Sequence, residues 1–157
     1  MRYAGLGTLL LGVLVMASPS TGWAVDTDDD PTAAQLDPDY AAGKKAIEAK
    51  QWSAAIKALS AAALRDTKNA DIQNYLGYAY RHAGQLEIAF KHYQRALTLN
   101  PRHRGAHEYI GEAYLLAGNP TKAEEHLAQL QKICLIPCEE YADLKQKIAA
   151  YRGRAGK

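Results

Sequence analysis

The fold of this chain is encoded most clearly between Leu76 and Pro101, in LGYAYRHAGQLEIAFKHYQRALTLNP. Small side chains stand in it at Gly77 and Ala89, and both recur 34 residues before and 34 residues after. A fixed period of this length indicates a helical repeat, in which small residues lie where two helices cross. We therefore expect three stacked units with repeat-packing residues at Gly43, Ala55, Gly77, Ala89, Gly111 and Ala123.

The turns of the pattern carry residues that end helices. Gly84 and Gly118 follow the first helix of the second and third units, where a left-handed backbone closes a helix, and the first unit has Lys50 there. Pro101 blocks continuation of the preceding helix and fixes the turn to the next unit. Each hairpin alone leaves an apolar face uncovered, so neighbouring units have to stack.

This stretch resembles the tetratricopeptide repeat, a helix–turn–helix whose pattern is Trp-x2-Leu-Gly-x2-Tyr, then Ala-x3-Phe, then Pro. The segment from Leu76 to Pro101 matches nearly every position, and the resemblance covers about residues 36–135. It implies an all-α fold, a right-handed α-solenoid of three helix–turn–helix units closed by a C-terminal capping helix. The repeats then fall at about residues 36–69, 70–103 and 104–137.

The same pattern predicts where the helices of a domain over residues 37–151 begin and end. Apolar residues from Tyr141 to Tyr151 follow helical spacing, so a capping helix is expected at about 139–151, followed by a basic tail at 152–157. Its acidic start and basic end suit the helix dipole. The repeat helices are expected near 38–49, 53–65, 71–83, 86–99, 104–117 and 120–134.

The N-terminus has the pattern of a secretory signal peptide at residues 1–24. Arg2 precedes an apolar run from Ala4 to Ala17, and small residues follow, so cleavage is expected between Ala24 and Val25. An uncleaved anchor is the alternative, although the apolar run is short for a membrane span. The sequence thus predicts a flexible acidic linker at 25–36, a periplasmic or secreted protein, and no membrane span after cleavage.

Composition favours helices and shows no strong charge. The chain of 157 residues has 19 basic and 17 acidic residues, a net charge of +2, which gives no strong field for nucleic acid. Ten tyrosines, one phenylalanine and many alanines favour helix over sheet. Because no Ser/His/Asp arrangement or paired-carboxylate motif stands out, we expect neither an enzyme nor a cofactor.

The segment CLIPC holds both cysteines, Cys134 and Cys138. In a secreted protein two cysteines usually pair, and an offset of four across a turn suits a disulfide between the last repeat and the cap. Two alternatives stay open. A metal site would need further ligands, of which His126, Glu139 and Glu140 are nearest, and a thiol-redox site is usually Cys-x-x-Cys at a helix N-terminus. His103 and His107, four apart, are a weak metal pair, and PRHRG is interpreted as a solvated turn.

The resemblance also implies a partner. In the family, the first helix of each repeat lines a concave groove that takes extended peptides or partner helices, and Asn74 matches an asparagine that commonly holds the ligand backbone. The chain is therefore interpreted as a non-enzymatic adaptor of the cell envelope, with weak self-association as a further option. A metal-handling or thiol-redox protein is the alternative. The groove positions of the three repeats include Tyr40, Lys44, Asn74, Tyr78, Arg81, His82, Glu108 and Glu112.

Overall fold

The computed structural model describes residues 37–155, which form seven α-helices and contain no strand. The predicted signal peptide at 1–24 and the linker at 25–36 lie outside the described residues. The helices are α1 (Pro38–Glu48), α2 (Trp52–Arg65), α3 (Ala70–His82), α4 (Leu86–Leu99), α5 (Arg104–Leu116), α6 (Pro120–Ile133) and α7 (Glu139–Ala155). The predicted all-α solenoid of paired helices with a closing helix is confirmed.

Local sequence fixes the helix starts. Asp37 caps α1, because its Oδ1 accepts hydrogen bonds from the amides of Asp39 at 2.8 Å and Tyr40 at 3.1 Å. Asn69 and Asn119 cap α3 and α6 in the same way. These side chains satisfy amides that have no partner within the helix. By contrast, α2 and α4 begin without a side-chain cap.

The turns inside the repeats have the left-handed backbone that the glycines predict. Gly84 has φ +78° and Gly118 has φ +75°. Lys50 occupies the corresponding place in the first repeat with φ 54°, and it is the one non-glycine residue with positive φ in the described part of the chain. A side chain in this conformation is unfavourable, so the first repeat has the same turn as the others at a local cost.

The helices lie in two layers. The odd helices α1, α3, α5 and α7 contact one another in sequence, whereas the even helices α2, α4 and α6 contact only the odd helices beside them. Since successive repeats approach more closely through the odd helices, this side is concave. We call the odd helices the inner layer and the even helices the outer layer.

Small residues lie at the crossings, as the period predicts. Ala55, Ala89 and Ala123 are fully buried on the outer layer. A Cβ at Gly43 would lie 2.5 Å from Leu59 Cγ, and a Cβ at Gly77 would lie 2.6 Å from the Tyr93 ring. In both repeats the two helices can therefore approach this closely only because the inner position has no side chain.

The third repeat is closed differently. The atoms nearest to a Cβ at Gly111 belong to Leu144 of α7, with Cδ2 at 2.6 Å. The capping helix thus packs directly on the last repeat glycine. It also runs to Ala155, so residues 152–155, predicted as part of a basic tail, continue the helix. No helix within residues 37–155 is long and apolar enough to cross a membrane.

Candidate functional site

The structure places all eight predicted groove residues on α1, α3 and α5 of the inner layer. They differ in accessibility. Lys44 and His82 are exposed and Tyr78 is half-buried. Four others are buried and offer little side-chain surface to a partner, namely Tyr40, Asn74, Glu108 and Glu112. The groove prediction therefore combines residues that present surface with residues that hold the inner layer together.

Aromatic rings form a continuous surface in the middle of the inner layer, extended at one side by Trp52, the first residue of α2 in the outer layer. The rings of Trp52 and His82 stack at 4.6 Å, and Tyr78 lies 4.4 Å from His82 and 4.9 Å from Tyr109. The Arg81 guanidinium lies 5.2 Å from the centre of the Tyr78 ring, within cation–π range. We call these five residues the aromatic surface. Sequence reasoning missed Trp52 and Tyr109, because neither occupies a groove position of the family pattern.

A charged cluster ties three inner helices together beside this surface. Arg81 Nη1 of α3 lies 2.7 Å from Glu112 Oε2 of α5, and only 7% of the Arg81 side chain is exposed. Lys147 of α7 pairs with the same Glu112 and lies 3.6 Å from Glu108 Oε1. Arg81 Nε also donates to the Tyr93 hydroxyl at 3.2 Å. The charges of Arg81 and Glu112 are therefore paired mainly with other residues of this chain, and little of either charge is available to a partner.

Glu108 is the unusual acid of this cluster. Burial, which has the largest effect, and the neighbouring Glu112 charge together raise its pKa from 4.5 to about 7, while the Lys147 charge opposes this change. Glu108 therefore exists partly as the neutral acid near neutral pH. It is a buried carboxyl whose charge responds to its surroundings, at the border between the charged cluster and an adjoining cavity.

That cavity, which we call the acidic pocket, lies between α3, α5 and α7 and has a volume of about 340 Å³. Asn74 lies in its wall, only 4% exposed, and its Oδ1 has no hydrogen-bond partner. A Cβ at Gly105 would approach Asn74 Nδ2 at 3.2 Å, so the glycine leaves room for this amide. The pocket is lined by Asp71, Asn74, Tyr75, His103, Gly105, Glu108, Tyr109, Glu139, Glu140 and Asp143.

His103 has a structural role that corrects the interpretation of PRHRG as a solvated turn. Its Nδ1 accepts a hydrogen bond from the Ala106 amide at 3.1 Å, so the ring caps α5. Nε2 then carries the proton and donates to Asp71 Oδ1 of α3 at 2.9 Å. The signal was available in the period, because Asn69, one repeat earlier, caps α3.

His107 of α5 and His126 of α6 join the two layers through a hydrogen bond between their rings. His107 Nε2 donates to the Pro101 carbonyl at 3.0 Å, which leaves Nδ1 to accept from His126 Nδ1 at 2.9 Å. Burial, with a smaller effect of His107, lowers the pKa of His126 to about 4. This arrangement uses both rings as neutral hydrogen-bonding groups. No group of three or more His, Cys, Asp or Glu side chains within residues 37–155 is placed to hold a metal ion.

The cysteines lie in the turn between α6 and α7. Cys134 and Cys138 have Cα atoms 5.9 Å apart and Sγ atoms 2.10 Å apart. Between them, Leu135 and Ile136 are exposed. The geometry is compatible with the expected link between the last repeat and the cap, and the disulfide stays a prediction for the protein in solution.

The chain is similar to known proteins in sequence over one repeat and in fold over most of its length. Residues 70–103 match the sequence model of the tetratricopeptide repeat. The fold is similar to that of the Yersinia enterocolitica type III secretion translocator chaperone SycD, with a TM-score of 0.69 and 16% identity over 83% of this chain and 92% of that chain. None of the curated proteins is significantly similar in sequence.

Two further structures have the same fold and contain a bound segment. PcrH in complex with the chaperone binding region of PopD has a TM-score of 0.67 and 21% identity, over 76% of this chain and 92% of that chain. The first tetratricopeptide repeat domain of Spaghetti (RPAP3), bound to an HSP90 peptide, has a TM-score of 0.65 and 17% identity, over 78% and 96%. The chain therefore contains a tetratricopeptide repeat at residues 70–103 and has the α-solenoid fold of tetratricopeptide repeat structures.

Proposed function

We propose that this protein is a non-enzymatic interaction module that holds a partner peptide or helix on its inner layer. The observation that carries the proposal is the aromatic surface, where Tyr78, His82 and Tyr109 lie together on α3 and α5 with Arg81 against them. Tyr, Trp and Arg are the residues that most often dominate binding energy at protein interfaces.

The mutual stacking of these rings supports the proposal energetically. Trp52 and Tyr78 both contact His82, so the rings are held in place before any partner arrives. A pre-ordered aromatic side chain loses little conformational entropy on binding. The bound segments in the PcrH and RPAP3 structures are consistent with the same use of this fold, although those proteins share no more than 21% of their residues with this chain.

We further propose that the module works in the periplasm or outside the cell. The signal pattern at residues 1–24 supports this location. Intact mass of the protein recovered from a bacterial expression host is expected to correspond to a chain that begins at Val25. Recovery of the uncleaved chain in the soluble cytoplasmic fraction would contradict this part of the proposal.

Selection from a phage-displayed peptide library on the immobilised full protein tests the binding function. We expect peptides with a shared motif, and we expect the Tyr78→Ala/His82→Ala variant to bind them at least about tenfold more weakly. Arg81 is left unchanged, because its removal would leave Glu112 without a buried partner.

The matched control is Gln94→Ala/Arg95→Ala, which truncates two exposed side chains of α4 in the outer layer. It should bind the selected peptides as the unchanged protein does. Selection of no motif, or equal loss in both double variants, would remove the inner layer from the proposal. Self-association is checked separately by light scattering of the free protein.

A further inference from the structure

A groove lies between the C-terminal halves of α5 and α7, and we call it the basic groove. It consists of two adjoining cavities of about 270 Å³ and 440 Å³, which share Leu115, Leu116 and Arg154 in their walls. Volumes of this size lie near the lower end of the range for ligand sites, roughly 300–1,000 Å³. The last repeat and the capping helix therefore form this groove together.

The basic groove has accessible apolar walls. Leu116 is 66% exposed, whereas Leu115 beside it belongs to the core cluster around Leu144. A single exposed leucine is ordinary on a protein surface, but the exposed Ala150 and the half-buried Tyr151 of α7 line the same cavities as Leu116 of α5. An apolar side chain that covers Leu116 would remove apolar surface from water, which is favourable.

The groove lies next to the aromatic surface. Leu116 comes 34 residues after His82, so the two side chains occupy the same position of successive repeats. The helices that carry them, α3 and α5, contact each other in the inner layer. Arg81 belongs to the aromatic surface and also lines the groove. A peptide on the aromatic surface can therefore extend by one repeat and reach Leu116.

The walls of the groove carry more positive than negative charge. Arg81 and Lys147 share the single carboxylate of Glu112, so the three groups together are positive. Glu108, 3.6 Å from Lys147, is partly neutral near neutral pH, because burial raises its pKa to about 7. Arg154 is exposed and makes no ion pair with any residue between 37 and 155. The groove therefore attracts an anion.

The helix dipole explains only part of this arrangement. Arg154 lies in the last turn of α7, where the dipole stabilises cations. That effect fades within one turn, and Lys147 lies about two turns before the end of the helix at Ala155. The dipole also gives no reason for an exposed leucine in the wall beside both cations. Apolar surface and positive charge are thus combined in the groove itself.

We propose that the basic groove binds an apolar side chain of the partner peptide and an aspartate or glutamate next to it. The apolar side chain packs on Leu116, and the carboxylate is held by Lys147 and Arg154. This inference rests on the proposed function, because it names the chemistry of one subsite on the same inner layer. Since both cations are partly exposed to solvent, the charge contributes less than the apolar contact, and it selects acidic over neutral peptides.

The test is a set of titrations of the ¹⁵N-labelled full protein, followed by NMR. The probes are the N-acetyl methylamides of leucyl-glutamate, leucyl-glutamine and alanyl-glutamate. We expect leucyl-glutamate to shift the backbone amides of Leu115 and Leu116 and the Arg154 Nε signal saturably. Leucyl-glutamine should bind about threefold more weakly and alanyl-glutamate at least about fivefold more weakly. Leucyl-glutamate binding no tighter than either other probe, or no saturable shift at these residues, would overturn the proposal.

Matched variants show whether the groove itself is responsible. Leu116→Ala/Arg154→Gln truncates one apolar and one basic side chain of the groove and should weaken leucyl-glutamate binding by about fivefold or more. Leu64→Ala/Arg95→Gln makes the same chemical changes at two exposed side chains of the outer layer and should leave binding unchanged. Lys147 is left in place, because it pairs with the buried Glu112. An equal response of the two double variants would contradict the groove.

Two further arms separate a partner peptide from other occupants. The acidic segment at residues 25–36 is the rival within the chain, and Asp28→Asn/Asp29→Asn/Asp30→Asn should leave probe binding unchanged. Tighter binding to this variant would show that the segment competes for the groove. Dilution of the free protein should not shift the Leu116 amide, and a shift there would assign the groove to a second copy of the chain. Either result would overturn the assignment to a partner.

Failure of the groove is distinguishable from failure of the proposed function. Library-selected peptides should contain an apolar residue next to an acidic one and should bind Leu116→Ala/Arg154→Gln more weakly. If the selected peptides depend on Tyr78 and His82 but not on Leu116 and Arg154, only the groove assignment is wrong.

Discussion

Helices of the two layers differ in what they bury. The inner helices α3 and α5 bury five polar or charged side chains, whereas α2, α4 and α6 of the outer layer bury alanine, leucine and one tyrosine. Burying a polar group costs free energy unless it finds a partner, so packing alone does not explain the inner layer. The inner polar residues are Gln73, Asn74, His107, Glu108 and Glu112.

This difference in buried residues indicates that the inner and outer positions of each repeat have different roles. Outer positions allow close approach and fill space, which small and aliphatic side chains do best. Inner positions also link successive repeats, since Arg81, Glu112 and Lys147 connect α3, α5 and α7. Within the described residues, Asn74 Oδ1 is a buried side-chain oxygen without a hydrogen-bond partner, and Asn74 lines the acidic pocket. We therefore expect changes at the layer crossing to affect folding and changes on the inner layer to affect binding.

The largest expected effect is at a crossing. Gly77→Val should reduce the free energy of unfolding by about 3 kcal/mol, because its Cβ would lie 2.6 Å from the rigid and fully buried Tyr93 ring. Urea denaturation of purified protein measures this. Gly111→Val should cost less, since it meets the methyl groups of Leu144, which can move by rotation.

Gly153→Ala is the control for both glycines. It lies on α7 with no atom within 4 Å of an added Cβ, so alanine should be neutral or slightly stabilising through helix propensity alone. Equal unfolding free energies for the Gly77 and Gly153 variants would show that the crossing does not require a small residue.

The second-largest effect is expected for the ion pair between Arg81 and Glu112, which links the inner helices α3 and α5. Arg81→Met should cost between about 2 and 3 kcal/mol, because Glu112 is left buried with Lys147 as its only cation. The double variant Arg81→Met/Glu112→Met should recover part of this loss, since it removes both buried charges. A double variant as unstable as the sum of the two singles would mean that the pair acts by packing, and the cycle is completed with Glu112→Met.

A smaller effect is expected at the connection between the layers. If Cys134 and Cys138 form a disulfide, the mass of the oxidised protein is lower by two hydrogen atoms and no free thiol reacts with iodoacetamide. Cys134→Ser/Cys138→Ser should then lower the unfolding free energy by at most about 2 kcal/mol, because the closed loop is short. Two reactive thiols, or stoichiometric bound zinc or copper, would support the metal or thiol-redox alternative instead.

The smallest effect is a pH dependence. The folded-state pKa of Glu108 is raised to about 7, so its contribution to stability is full below about pH 4.5 and is lost as the pH rises through about 7. Glu108→Gln removes this contribution, and its stability should therefore rise relative to the unchanged protein between about pH 5 and pH 8. The lowered pKa of His126 makes the free energy of unfolding rise with pH, opposite to the effect of Glu108, and this contribution is the same in both proteins. The difference between the two denaturation series therefore reports on Glu108. A difference that does not change with pH would contradict the raised pKa.

The layers also differ in how far sequence alone describes them. The crossings and turns follow from local signals with a fixed period, and even Lys50 has the left-handed conformation that a glycine position predicts. The polar contacts of the inner layer join residues more than 30 positions apart, such as Arg81 with Glu112 and Lys147 with Glu112. No local pattern encodes such pairs, and for that reason the groove prediction included residues that the structure buries.

The capping helix shows the same limit. Its apolar spacing predicts a helix that closes the stack, but the contact of Leu144 with Gly111 depends on how α7 packs against α5. His103 is the opposite case. His103 lies one repeat after Asn69, which caps α3, and this position alone predicts that His103 caps α5. The interpretation of PRHRG as a solvated turn used only the charge of the segment. Periodic positions are thus more informative than the composition of a short segment.

Hydrogen exchange of the full chain, free and bound to a library-selected peptide, tests the division between the layers most directly. Binding on the inner layer should slow exchange in α3, α5 and α7 and leave α2, α4 and α6 largely unchanged. Slower exchange confined to the outer helices would contradict the account.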